Sequence, residues 1–104
     1  MGACYLLPRV VGLGKATELL FLGDTIDAEG AYRIGWANRV IEHENLVQEA
    51  DELARRLKQG PLQAIGVTKD LLERETNMDL ESALTLEAAA QAGCMETADF
   101  KRRV

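Results

Sequence analysis

The sequence predicts an all-α chain of about five to six short helices with at most one short strand. Three observations carry this. Apolar residues recur at helical spacing in one segment after another. Glycines stand just past the ends of those segments, and Asp or Thr stands just before several of them.

The elements follow in order. Ala3 to Val11 is apolar but interrupted by Pro8, and reads as a short helix or a turn-rich lead-in. Gly12 and Gly14 punctuate it. Lys15 to Leu22 places Ala16, Leu19 and Leu20 on one face, with Lys15 and Glu18 off it. Gly23 suits the left-handed position that ends a helix, because it has no Cβ to clash. Asp27 can cap a helix from Ala28 to Ile34, and Gly35 closes it in the same way as Gly23. Gly30, inside that helix, is expected to cost about 1 kcal/mol relative to alanine. Asn38 to Ile41 is a short β-type or extended segment.

The clearest helix runs from Asn45 to Gln59. Leu46, Ala50, Leu53 and Leu57 form its stripe, expected to lie in a helical core. Asp51–Arg55 and Glu52–Arg56 are acid-before-base pairs four residues apart on the polar side. Gly60 stops the helix, and Pro61 suits the first helical position of the next, where its missing N–H does no harm. Pro61 to Arg74 aligns Leu62, Ile65, Lys69 and Leu72. Asp79 can cap a helix to about Ala92, striped by Leu80, Ala83, Leu84, Glu87 and Gln91. Thr97 can cap a last helix that begins at Ala98. The chain, 1–104, reads as a single helical domain, with lead-in helices and the short strand in 1–41 and the later helices in 42–104.

Composition bounds the function. Hydrophobic residues are 47% and charged residues 28%, a globular profile in a chain of 104 residues, enough for one small domain. A net charge of -5 argues against nucleic acid as a partner, since phosphate binding needs a basic face. The one basic cluster is Lys101-Arg102-Arg103. Cys4 and Cys94 show no CxxC pattern; free thiols are expected, with a structural disulfide as the other arrangement. His43 is the single histidine and has no ligand spacing around it, so no metal site is expected. Every apolar stretch is too short to span a bilayer, and the start lacks the features of a leader. The expectation is a soluble cytoplasmic protein with no membrane partner.

Several runs then resemble a known family. Leu7-Pro8-Arg9-Val10-Val11-Gly12 followed by Leu22-Gly23-Asp24-Thr25-Ile26-Asp27-Ala28-Glu29 is similar to a stretch of the enoyl-CoA hydratases and isomerases, the crotonase family. Ala31, Gly35, Asn38, Arg39 and Val40 continue the match. So do Lys69 in a helix after Pro61, Leu86-Glu87 with Ala90-Gln91, and Thr97-Ala98-Asp99-Phe100-Lys101. Trp36 stands where the family usually has an aliphatic residue, and Gly30 where it has a helix former.

The resemblance implies a multi-helical C-terminal subdomain of the crotonase fold. The family's spiral domain, with its oxyanion hole and one or two acidic side chains, would lie upstream of Met1, with residues 1–41 bordering it. No catalytic residue is therefore expected in this chain, and no cofactor beyond the CoA thioester that serves as substrate of the intact enzyme. Tyr5, Leu6 and Leu7 would border the acyl pocket, or else pack against the missing domain. Lys101, with Arg102 and Arg103, would meet CoA phosphates, or else solubilise the C-terminus.

Other residues have a sharp and a plain reading. Glu87 on an apolar stripe suggests a desolvated acid; a helix-packing glutamate is the plainer expectation. His43, among Glu42, Glu44 and Asn45, is expected on the surface. Cys4 and Cys94 are expected to be small buried fillers. The reaction implied is hydration or double-bond isomerisation of an enoyl-CoA through an enolate-like thioester. The alternative is a non-catalytic helical module that self-associates as a dimer or trimer, and a generic helical adaptor is a third class. The wide apolar faces of the later helices favour self-association under any of these.

Overall fold

In the computed structural model, which describes residues 1–104, the chain forms seven α-helices, one 3-10 turn and no strand. They are α1 (Ala3–Val11), α2 (Leu13–Leu22), α3 (Ala28–Arg33), α4 (Leu46–Lys58), α5 (Leu62–Glu75), α6 (Leu80–Met95) and α7 (Ala98–Arg103). The 3-10 turn is His43–Asn45. The chain divides into two compact units, Met1–Leu46 and Val47–Val104. No helix is long and apolar enough to cross a membrane.

Local chemistry sets most boundaries. The Asp27 carboxylate accepts from the backbone N–H of Gly30 at 2.7 Å, and Asp79 accepts from that of Ser82 at 2.9 Å. Thr97 Oγ1 accepts from the Phe100 N–H at 3.2 Å. Each satisfies a donor that a helix start leaves without a partner. Gly23 ends α2 at φ 67, in the left-handed region. Gly12 is both the end of α1 and the start of α2, at φ 86 and ψ 158, a backbone that only glycine adopts without strain. It lets two helices meet with no loop between them.

The lead-in is helical despite Pro8. One residue further on, the Arg9 guanidinium lies 3.5 Å from the centroid of the Tyr5 ring and donates to the Tyr5 carbonyl at 2.6 Å. This cation–π and hydrogen-bond pair braces the turn that spans the proline.

Some boundaries and pairings differ from the sequence reading. Asn38–Ile41 is irregular rather than a strand. A lone extended segment has no neighbour to take its backbone hydrogen bonds. Asn45 closes the 3-10 turn, so α4 starts one residue later. Pro61 is the residue flanking α5, its carbonyl accepting from Ile65 at 2.9 Å. Arg55 pairs with Glu52 rather than Asp51, by two bonds of 2.6 and 3.0 Å. That spacing of three gives the fork a two-pronged carboxylate contact.

The largest difference is burial. Ala16, 1% exposed between α1 and α2, is the one buried residue. Leu53 is 43% exposed and α4 contains no buried residue, so the expected core stripe faces solvent. Cys4 is exposed and Cys94 half-buried, both as free thiols, so neither is a buried filler. The chain exposes 8640 Å². Two separate compact units of half its mass each would together expose about 7,000 Å².

Gly30 is required by space as well as by propensity. A Cβ there would stand 2.8 Å from Ile26 Cγ1 and 3.0 Å from the capping Asp27 Oδ1. Gly30→Ala is therefore expected to lower stability by about 1 kcal/mol or more, instead of raising it as helix propensity alone would. Leu53→Ala, at an exposed site, is expected to cost less than about 1 kcal/mol in the free chain. Urea unfolding followed by circular dichroism checks both.

Candidate functional site

Two concavities carry the candidate chemistry, one in each unit. The first is a cleft of about 500 Å³ formed by α1, α2 and the segments after α2. Leu6, Leu7 and Val10 come from α1, and Leu19 and Leu20 from α2. The four-residue step from Leu6 to Val10 keeps both on one helix face. The small Ala16 side chain, buried at the α1–α2 contact, lets the two helices approach. Ile26 and Trp36 complete the apolar wall, with Gly2, Gly23 and Asp24 also in the lining. Asp24 is its one carboxylate. A cleft of this composition can hold an apolar chain; it has no paired acid and base to move a proton.

The structure brings Leu6 and Leu7 together in this cleft, Leu7 half-buried and Leu6 exposed. Tyr5 is not in the lining, because its ring packs under Arg9 instead. Lys101 lies exposed on α7, in the second unit. Its two neighbours are engaged within that unit. Arg102 bonds Asp99, and Arg103 Nη2 donates to the Gln59 carbonyl at 3.1 Å. Trp36, Leu19, Leu20 and Ile26 were not singled out as lining residues by the sequence. The only signal was Trp36's departure from an aliphatic pattern.

The second concavity is a groove of about 280 Å³ between α5 and α6. Ala64, Val67, Leu71 and Leu72 line it from α5, and Ala90 and Cys94 from α6. Thr68 and Gln91 add polar groups, and two carboxyl groups, Glu75 on α5 and Glu87 on α6, share it. The α5 face involved runs through Ala64, Thr68, Leu71 and Glu75, and of the stripe of Leu62, Ile65, Lys69 and Leu72 only Leu72 reaches it. Glu75 Oε1 is shielded from solvent and has no hydrogen-bond partner.

Removal from water pushes the Glu75 carboxyl above its ordinary value. The neighbouring Glu87 carboxyl pushes the same way, and the Arg74 charge opposes it. Glu87, on the exposed side of α6, shares the groove with a second glutamate. Asp79 at the start of α6 shifts the opposite way. Bonds from the Ser82 backbone and hydroxyl hold its carboxyl below the usual range. No group of three or more His, Cys, Asp or Glu side chains is placed so that it could hold a metal ion.

Comparison with known proteins covers the whole chain. The family model for enoyl-CoA hydratase/isomerase matches residues 1–104. Crotonyl-CoA hydratase of Syntrophomonas wolfei subsp. wolfei is 35% identical over 96% of this chain and 38% of its own length. 1,2-Epoxyphenylacetyl-CoA isomerase of Escherichia coli (strain K12) is 33% identical over 99% of this chain and 39% of its own. A crystal structure of an enoyl-CoA hydratase/isomerase from Cupriavidus metallidurans CH34 superposes with a TM-score of 0.85 at 44% identity. It covers 92% of this chain and 36% of that one. The chain thus spans well under half the length of these relatives, and its helices correspond to a portion of the crotonase fold. Matched from first residue to last, the chain belongs to the enoyl-CoA hydratase/isomerase family.

Proposed function

We propose that this chain is the helical C-terminal part of an enzyme that hydrates an enoyl-CoA thioester or shifts its double bond. The observation that carries the reading is a family match over the whole chain, whose helices leave most of their large apolar side chains exposed and none of them buried. Such faces fit a part that packs against more of the same enzyme. On this reading the oxyanion donors and acid–base carboxylates come from outside residues 1–104. The apolar lining of the first cleft supports that division of labour: Leu6 and Leu7 would border an acyl chain there. Tyr5, bound to Arg9, would act through the shape of α1, and Lys101 would be the free cation offered to CoA phosphates.

A second reading rests on the same exposed surface. The chain would bind copies of itself, as a trimer or a dimer, and cover the active site in the intact enzyme. Leu80 is 74% exposed and Leu84 56% exposed on α6, more apolar area than a stable monomer leaves wet.

Purified 104-residue chain is expected to give no loss of enoyl absorbance with crotonyl-CoA above the buffer blank. Turnover that survives repurification would overturn the proposed division of labour. Light scattering at several concentrations is expected to show self-association. A clean monomer to high micromolar concentration would mean that the exposed helix faces are not interfaces.

A further inference from the structure

We propose that α4 is a docking surface for a second copy of this chain, on which the partner's α4 lies antiparallel about a twofold axis. The inference rests on the self-association reading above and names its surface and symmetry. All 13 residues of α4, Leu46–Lys58, are exposed. The helix pairs that pack are α1 with α2, α5 with α6 and α6 with α7, and α4 belongs to none of them. A helix of that length is marginal in water unless an apolar face is packed on something. The face is built for packing. Leu46, Ala50, Leu53 and Leu57 fall at steps of four, three and four residues, the spacing of a two-helix seam.

The residues beside the seam select the occupant. Val47 and Ala54 lie along one edge of it, Glu49 and Arg56 along the other. A second copy laid in reverse sets Ala50 against the partner's Leu53 and Leu46 against the partner's Leu57. In the central layers a small side chain then meets a large one. The same reversal brings Glu49 beside the partner's Arg56, and Arg56 beside the partner's Glu49. Opposite charges at these edge positions set the orientation of paired helices. A parallel pair in register would stack Ala50 on the partner's Ala50, leaving a gap, and set Glu49 beside the partner's Ala54. The acids of α4 are Glu49, Asp51 and Glu52, in its first half, and its bases are Arg55, Arg56 and Lys58, in its second. The helix is thus complementary to itself when reversed, and its macrodipole favours the same arrangement.

Geometry also bounds the strength and the number of copies. A helix of this length extends about 20 Å. Two of them laid together cover less than the roughly 1,200 Å² at which specific, stable interfaces begin. The dimer is therefore reversible, and concentration is the variable that reveals it. A twofold contact uses the same face of both copies and closes on itself, so association by this face stops at two.

Sedimentation of the whole 104-residue chain, from low to high micromolar concentration in about 0.15 M salt, tests the proposal. The wild type is expected to pass from monomer to dimer. E49R alone and R56E alone are each expected to weaken the dimer about tenfold, because two attractive pairs become repulsive. An equimolar mixture of the two variants is expected to restore it, since every arginine edge then meets a glutamate edge. D51R, the same change of charge outside the seam, is expected to behave as the wild type. All four positions are exposed, and circular dichroism of each variant checks that its helices are intact. A wild-type monomer at every concentration would overturn both this proposal and the self-association reading, and would leave α4 to be covered by the remainder of an enzyme. A trimer, a dimer that E49R and R56E leave unchanged, equal weakening by D51R, or a mixture no stronger than its parts would overturn the α4 pairing alone.

Discussion

Apolar helix faces that this chain does not cover by itself are the constraint on which its structure depends. One alanine is buried, and large side chains such as Phe21, Leu22 and Leu72 stand mostly in solvent. At about 25 cal/mol per Å², covering even 500 Å² of apolar surface contributes about 12 kcal/mol. A side-chain cap contributes about 1 kcal/mol. The caps and turns decide where each helix begins and ends, and they contribute far less than covering the exposed apolar faces would. Family membership and the relatives' greater length agree with that physical picture.

This division explains what was legible in the sequence. Asp27, Asp79 and Thr97 could be read as caps because the donor that each satisfies lies three residues away. Gly23 and Gly35 could be read as stops because their left-handed backbone is a property of one residue. The family could be read because its motifs lie in order along the whole chain. Contacts made across space were not legible. Helical period marked Leu53 as apolar-face, and it is; period says nothing about whether a partner is present to bury that face. The same limit hid Glu75, which sits on α5 outside the aligned stripe and gains its meaning from a residue twelve positions further on. Of the candidate cleft, Leu6 and Leu7 were legible from the family motif. Trp36 was not, because only folding brings it to the α1–α2 hairpin.

The two perturbed carboxyl groups show how finely local surroundings decide ionisation. Asp79 and Glu75 are four residues apart in sequence, on either side of the turn that joins α5 to α6. Asp79 faces N–H and O–H donors at a helix start, which favour its charge. Glu75 faces hydrocarbon and another acid, which oppose its charge. One turn therefore carries a group that strengthens the structure when ionised and another that strengthens it when neutral.

The bond from Arg103 to the Gln59 carbonyl joins residues 44 apart, tying the chain's last helix to the end of α4. Closing a flexible loop of that length costs about 3 kcal/mol in entropy. A hydrogen bond from a charged group to a carbonyl contributes about 1.5–3 kcal/mol, and less where water competes. The clasp could not draw a disordered chain together. It forms because α5, α6 and α7 have already returned the backbone to the starting point, so the ring closes on a path laid by the helices. Arg103 is therefore a reporter of assembly in the second unit, and trimming the final two residues would erase the report while leaving the helices that wrote it.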